Sequence, residues 1–234
     1  MTFSVALVVA CAVLGGVAGM VVPRWLARLP EPLLADGETK TPYADLARWP
    51  PLPVVCGLAL TVGWGFMAWK VGADPVLPAV LYVVVTGVLL GYVDLRVRLL
   101  PNAVVLPSYA VVGALLVLAA VFSGRWGSLA WAAVGGAALW GFLALFVVLM
   151  PSGIGLGDAK LGGVLGLCLG WFGPAYVLLG TFAAFVFGGL VSLGLIASRR
   201  GTLKSAIPFG PFLILGFVAA VAYGDDLIHW YGIR

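Results

Sequence analysis

Two carboxylates stand apart by position in a chain in which only 9% of residues are charged. Asp158 lies in Gly153-Ile154-Gly155-Leu156-Gly157-Asp158-Ala159-Lys160, between two long apolar runs. Asp94 closes another such run in Gly91-Tyr92-Val93-Asp94-Leu95-Arg96-Val97-Arg98-Leu99-Leu100-Pro101-Asn102. An acid at membrane depth or at a membrane edge is costly, and it marks a functional site by default. The glycines around Asp158 let the backbone bend and approach other groups closely. Two carboxylates a few ångströms apart cannot both ionise cheaply, so such a pair shares a proton and can act as acid and base on one water. That is aspartic-protease chemistry. The plain structural alternative is that Asp158 only N-caps the helix after it.

A metal is a weaker use of the same acids, because hard cations need more oxygens than two side chains provide. His229 is the single histidine, and Cys11, Cys56 and Cys168 lie in separate apolar runs without C-x-x-C pairing. They read as small buried hydrophobes. No metal and no cofactor are expected.

The elements that must position the acids follow from composition. The 234 residues are 63% hydrophobic, with a mean hydropathy of +1.15, far outside the range of soluble domains. Apolar spans at about residues 3–22, 54–69, 76–93, 103–122, 129–150, 161–172, 175–197 and 207–223 are bounded by Gly, Pro and charge clusters. The expectation is an all-α integral membrane protein, a bundle of about eight transmembrane helices, one of them short. Residues 1–75 would hold a retained N-terminal helix, a polar loop from Pro23 to Pro53 and a second helix. Residues 76–234 would form a six-helix core.

Alternating the loops places ten basic residues on one side, from Arg24 to Lys204, and only Lys70, Arg125 and Arg234 on the other. Basic residues collect on the cytoplasmic side, so both termini are expected outside. The net charge of +4 reads as this topology signal and implies no nucleic acid. Two spans separate Asp94 from Asp158, which returns both to the cytoplasmic boundary. Asp158, Gly162, Gly166 and Gly170 recur every four residues, as Gly87 and Gly91 lead to Asp94, and small residues at that spacing let membrane helices approach. Each acid would then sit on a face suited to tight contact. Asp158 begins its helix and Asp94 ends its own, so the helix dipoles favour an ionised Asp158 and a protonated Asp94. Arg96 and Arg98 can turn toward lipid headgroups.

The sequence resembles the prepilin peptidase family, membrane aspartic proteases that process type IV pilin-like precursors. Asp94 with Arg96, Arg98, Leu100, Pro101 and Asn102 is similar to the family's first-aspartate motif, with Leu100 in place of Ile. Gly153 to Leu161 is similar to its Gly-x-Gly-x-Gly-Asp-Val-Lys-Leu motif, with Ala159 in place of Val. Ile207-Pro208-Phe209-Gly210-Pro211-Phe212 resembles its Pro-Phe-Gly-Pro segment. The likeness runs from about residue 76 to 223. It implies Asp94 and Asp158 as the catalytic pair and pilin-like precursors as substrates, cut after a glycine at the inner-membrane boundary facing the cytoplasm. Gly155, Gly157, Lys160 and Asn102 are the expected supporting residues, although Lys160 could simply anchor a helix end and Asn102 cap one. In the N-terminal third the likeness weakens: Gly19-Met20-Val21-Val22 and Arg28-Leu29-Pro30 are followed by a loop without cysteine. The family's methyl transfer, linked to that region, is therefore not carried over.

The competing class is a small ion- or proton-coupled transporter using the same two acids. It would place them nearer mid-membrane, often in repeated halves, and no internal repeat is evident. A presenilin-type protease shares Gly-x-Gly-Asp, but its Tyr-Asp and Pro-Ala-Leu motifs are not found in the matching positions.

Overall fold

The computed structural model describes residues 4–31, 40–149, 154–198 and 208–230, and among these the secondary structure is helical throughout. In chain order the helices are α1 (Val5–Leu26), α2 (Tyr43–Ala47), α3 (Leu52–Val71), α4 (Leu77–Val97), α5 (Asn102–Ser123), α6 (Trp126–Leu149), α7 (Leu156–Phe172), α8 (Pro174–Ala197) and α9 (Gly210–Trp230). The long ones are the eight expected from the apolar runs. Seven of them are long and apolar enough to cross a membrane.

The exception is α7. Its 17 residues rise only about 25 Å at 1.5 Å each, less than the ~30 Å of a bilayer core. It is also deeply enclosed, with most of its side chains from Asp158 to Trp171 buried, whereas α8 exposes large side chains such as Leu178, Phe182 and Leu190 to the surroundings. A short helix inside a ring of longer ones can stop below the membrane surface. Asp158 lies in the first turn of this helix.

Two features depart from the sequence reading. The polar loop is expected to start at Pro23, yet α1 runs through Pro23 to Leu26, and burial of Val22, Pro23 and Leu26 holds that last turn in the core despite the hydrogen bond the proline forgoes. Within that loop α2 forms a turn of helix whose Tyr43 and Leu46 are buried. The Tyr92 hydroxyl of α4 donates to the Leu46 carbonyl at 3.0 Å.

Polar tethers join the helices: Trp64 Nε1 of α3 donates to the Leu81 carbonyl of α4 at 3.0 Å, and the Tyr109 hydroxyl of α5 donates to the Lys160 carbonyl of α7 at 2.7 Å. The largest contact is α6 on α7. There an added Cβ on Gly166 would stand 2.4 Å from the Gly135 carbonyl oxygen, and one on Gly170 the same distance from that of Trp131. The glycine stripe of α7 therefore closes on α6, not on the helix of the other acid. Steps of four residues overshoot a full turn by about 40°, so the stripe winds away from Asp158 as it descends. We expect Gly166→Ala to force α6 and α7 apart at a cost of about 1–3 kcal/mol. Thermal unfolding in detergent should show the loss, and Gly189→Ala, where an added Cβ meets nothing within 4 Å, should unfold like the parent.

At the end of the bundle away from both acids, Lys70 pairs with Asp226 at 3.7 Å, Arg125 pairs with Asp74, and the Tyr176 hydroxyl bonds Asp225. Charge thus gathers at the two ends, with apolar helix between.

Candidate active site

Asp94 occupies the last turn of α4 and Asp158 the first turn of α7, so both stand at the same end of the bundle. Only 4% and 9% of their surfaces are exposed, low enough that each must find polar partners inside the protein. Those partners are backbone groups. Asp158 Oδ2 accepts the N–H of Gly155, the N-cap of its own helix, at 3.0 Å. Asp94 Oδ2 accepts the N–H of Gly210, the first residue of α9, at 3.1 Å.

Gly210 is the point at which the two acids meet. An added Cβ on it would lie 2.8 Å from Asp94 Oδ2 and 3.5 Å from Asp158 Oδ1. That Oδ1 is buried and receives no hydrogen bond from any described residue. Helices α4 and α7 barely touch directly, while α9 packs against both. On α4 the small-residue stripe works as expected but toward a different partner: Gly87 and Gly91 face Ile214 of α9. The sequence reading paired the acids and marked the segment from Ile207 to Phe212 by its resemblance, but gave Gly210 no role, because a glycine carries no side chain to announce one; Ile207 itself lies outside the described residues.

The helix-end argument for unequal roles also changes. Asp94 does close α4, but its carboxylate meets the N-terminal end of α9, where the helix dipole is positive. Each acid thus has one backbone donor at a helix start. The helix-dipole argument alone therefore no longer separates the roles of the two acids.

Around the acids lies a cleft of about 300 Å³, lined by Asp94, Arg98, Leu99, Leu100, Asn102, Gly155, Leu156, Gly157, Asp158 and Lys160. Every site residue read from the sequence borders it. Gly157 lets the first turn of α7 sit against Leu100, whose Cβ would be 3.0 Å from an added one. Asn102 does not cap α5, since Pro101 is the N-cap and no side chain caps there; its Oδ1 accepts a hydrogen bond from Lys160 Nζ at 3.0 Å. Lys160 is correspondingly turned to the rim of the cleft. Gly153 lies outside the described residues. Arg98, expected at the headgroups, lines the cleft instead, whereas Arg96 lies over the rings of Trp49 and Tyr92. Among the described residues no three His, Cys, Asp or Glu side chains gather as a metal site. Two buried carboxylates facing one point can hold a water and exchange a proton through it.

Residues 81–193 match the Type IV leader peptidase family. The chain is 33% identical over 186 residues to the prepilin leader peptidase/N-methyltransferase of Pseudomonas putida, covering 77% of this chain and 60% of the relative. It is 34% identical over 188 residues to the protein of the same description from Aeromonas salmonicida strain A449, covering 77% and 57%. Across both acids the chain is similar to the type IV leader peptidase family. Against a relative from Stutzerimonas stutzeri, again described as a prepilin leader peptidase/N-methyltransferase, identity is 31% over 189 residues, 79% of this chain and 61% of the relative. The chain thus spans about three-fifths of the length of these family members. No solved structure matches it. The family match contains both Asp94 and Asp158.

Proposed function

We propose that this protein is a membrane aspartic endopeptidase that removes the short basic leader from type IV pilin-like precursors. Asp94 and Asp158 are its catalytic pair, and the cut falls after a glycine at the cytoplasmic boundary of the inner membrane. The observation that carries this reading is the convergence of two buried carboxylates on Gly210 at one end of the bundle, within a chain similar to relatives named for that activity.

The chemistry follows from one shared proton. The ionised carboxylate takes a proton from water as the oxygen attacks the scissile carbonyl, and the protonated one donates to the carbonyl oxygen. On collapse the C–N bond breaks, the proton taken from water passes to the leaving amine, and the proton on the former carbonyl oxygen returns to the other carboxylate, so that the pair again holds one proton. The low exposure of both acids keeps bulk water from competing. Gly155 at the N-cap and Gly157 in the first turn shape the start of α7 that holds Asp158, and the Lys160–Asn102 hydrogen bond fastens the start of α7 to the start of α5. Residues 76–234 form the peptidase core in this reading, with residues 1–75 packed beside it. The loop from Pro23 to Pro53 has no cysteine, and the reading concerns peptide cleavage alone. Partners are the precursor and membrane lipid.

Co-expression with a pilin-like precursor in a host without its own leader peptidase tests the reading: the precursor should shorten by its leader, and an unchanged precursor would count against it. The orientation, with both termini outside, has its own test. Cys11, Cys56 and Cys168 are buried, which leaves a quiet background for labelling. A cysteine at exposed Ser198 should react with an impermeant reagent only from the cytoplasm, and one at Gly127, where an added Cβ meets nothing within 4 Å, only from outside. The opposite pattern would invert the topology.

A further inference from the structure

Two arginines follow Asp94, and their surroundings differ. Arg96 lies 5.1 Å from the ring centroid of Trp49 and 5.5 Å from that of Tyr92, over rings stacked 6.0 Å apart. Its charge is turned to the polar loop. Arg98 caps α4 with φ 52° and ψ 39°, its N–H donating to the Asp94 carbonyl at 2.9 Å. It is the one described residue other than glycine with positive φ. A residue with a Cβ pays about 1–3 kcal/mol to sit there, and glycine is the usual occupant of this position. The side chain lines the cleft with both acids.

The other charged groups around the pair are few. Lys160 of α7 is bonded to Asn102, Asn102 of α5 is neutral, Arg96 is held by the two rings, and the first turns of α9 from Gly210 to Leu215 carry no charged side chain. Two cations line the cleft, Arg98 and Lys160, and neither has a salt-bridge partner among the described residues. Lys160 Nζ is tied to Asn102, whereas the Arg98 guanidinium is not held by a described residue. Burial and mutual repulsion both push two adjacent carboxyls toward the neutral form, and a doubly protonated pair has no base for water. Acting against this are one backbone N–H on each acid and any nearby cation.

We propose that Arg98 is a positioning residue of the dyad: its guanidinium supplies the positive charge that lets two buried carboxylates hold a single proton between them at neutral pH. The strained backbone is kept because glycine, which fits it better, carries no charge. An opposite charge within about 4–6 Å shifts a carboxyl by one unit or more. The activity arm of the test rests on the peptidase reading, and the spectroscopic arm does not.

Arg98→Gly removes the charge while relieving the backbone, so misfolding does not confound it, and its unfolding temperature should equal or exceed that of the parent. In the purified protein in lipid vesicles, the protonated-carboxyl infrared band lost in Asp94→Asn should persist about one pH unit higher in Arg98→Gly. The pH window for precursor cleavage should move up with it, so that lost neutral-pH activity returns at higher pH. Arg98→Lys should stay close to the parent, and Arg96→Gln should leave band and window in place. A band in Arg98→Gly that titrates as in the parent, or activity lowered equally at every pH, overturns the proposal. If the parent cleaves no precursor, the peptidase reading fails while the infrared titration still decides the role of Arg98.

Discussion

Asp94→Asn and Asp158→Asn should each lower precursor cleavage by at least about a thousand-fold while leaving the protein folded in the membrane. The magnitude follows from the mechanism. General acid and base catalysis contributes roughly 10²–10⁴ in rate, and members of a unit that act together do not add, so loss of either removes nearly the whole effect. An amide fits the space of a carboxylate and can still accept the Gly155 or Gly210 N–H, which makes a folding defect a small part of the result. Because both acids must stand against the same Gly210, a mixture of the two variants should remain as inactive as either alone. Detergent-extracted protein with unaltered unfolding behaviour but no turnover would be the expected signature. Near-parental turnover by both variants would remove the shared-proton mechanism.

Gly210→Ala should produce the second largest effect, about a hundred-fold or more, through geometry. The new methyl would stand 2.8 Å from Asp94 Oδ2 and 3.5 Å from Asp158 Oδ1, closer to the first than any real contact allows. Either α9 withdraws, breaking the Gly210 N–H bond to Asp94, or the carboxylate rotates off its donor. Misplacing a reacting group by about 1 Å costs on the order of 10² in rate. Stability should fall much less, since the rest of α9 keeps its packing on α4 and α8. Kinetics on a folded Gly210→Ala protein would therefore separate alignment from folding, and unaltered turnover would mean that α9 does not hold the pair.

What the sequence discloses here follows the size of the signals. Apolar runs of twenty residues and a basic bias of ten against three are long-range averages, and the eight long helices follow from them. The acids are legible because charge is rare in this chain and each borders an apolar run, Asp94 at its end and Asp158 at its start. Contacts made by backbone are not legible. Nothing in the side chain of Gly210 says that its N–H will meet Asp94, and a glycine stripe at four-residue spacing does not say which neighbour it meets; on α7 it meets α6, on α4 it meets α9. The fates of Arg96 and Arg98 were equally hidden. They depend on Trp49, from a loop some 45 residues earlier, and on a left-handed turn at Arg98 that no residue preference favours. Asn102 misled for a related reason: it is a good N-cap type, but Pro101 takes that position and frees its side chain for Lys160.

The most direct measurement is the mass of the N-terminus of a pilin-like precursor recovered after incubation with the purified protein in lipid vesicles at neutral pH. The account predicts a leader-free terminus with the parent protein and only the intact precursor with Asp94→Asn or Asp158→Asn. A leader removed as completely by both variants as by the parent would contradict it.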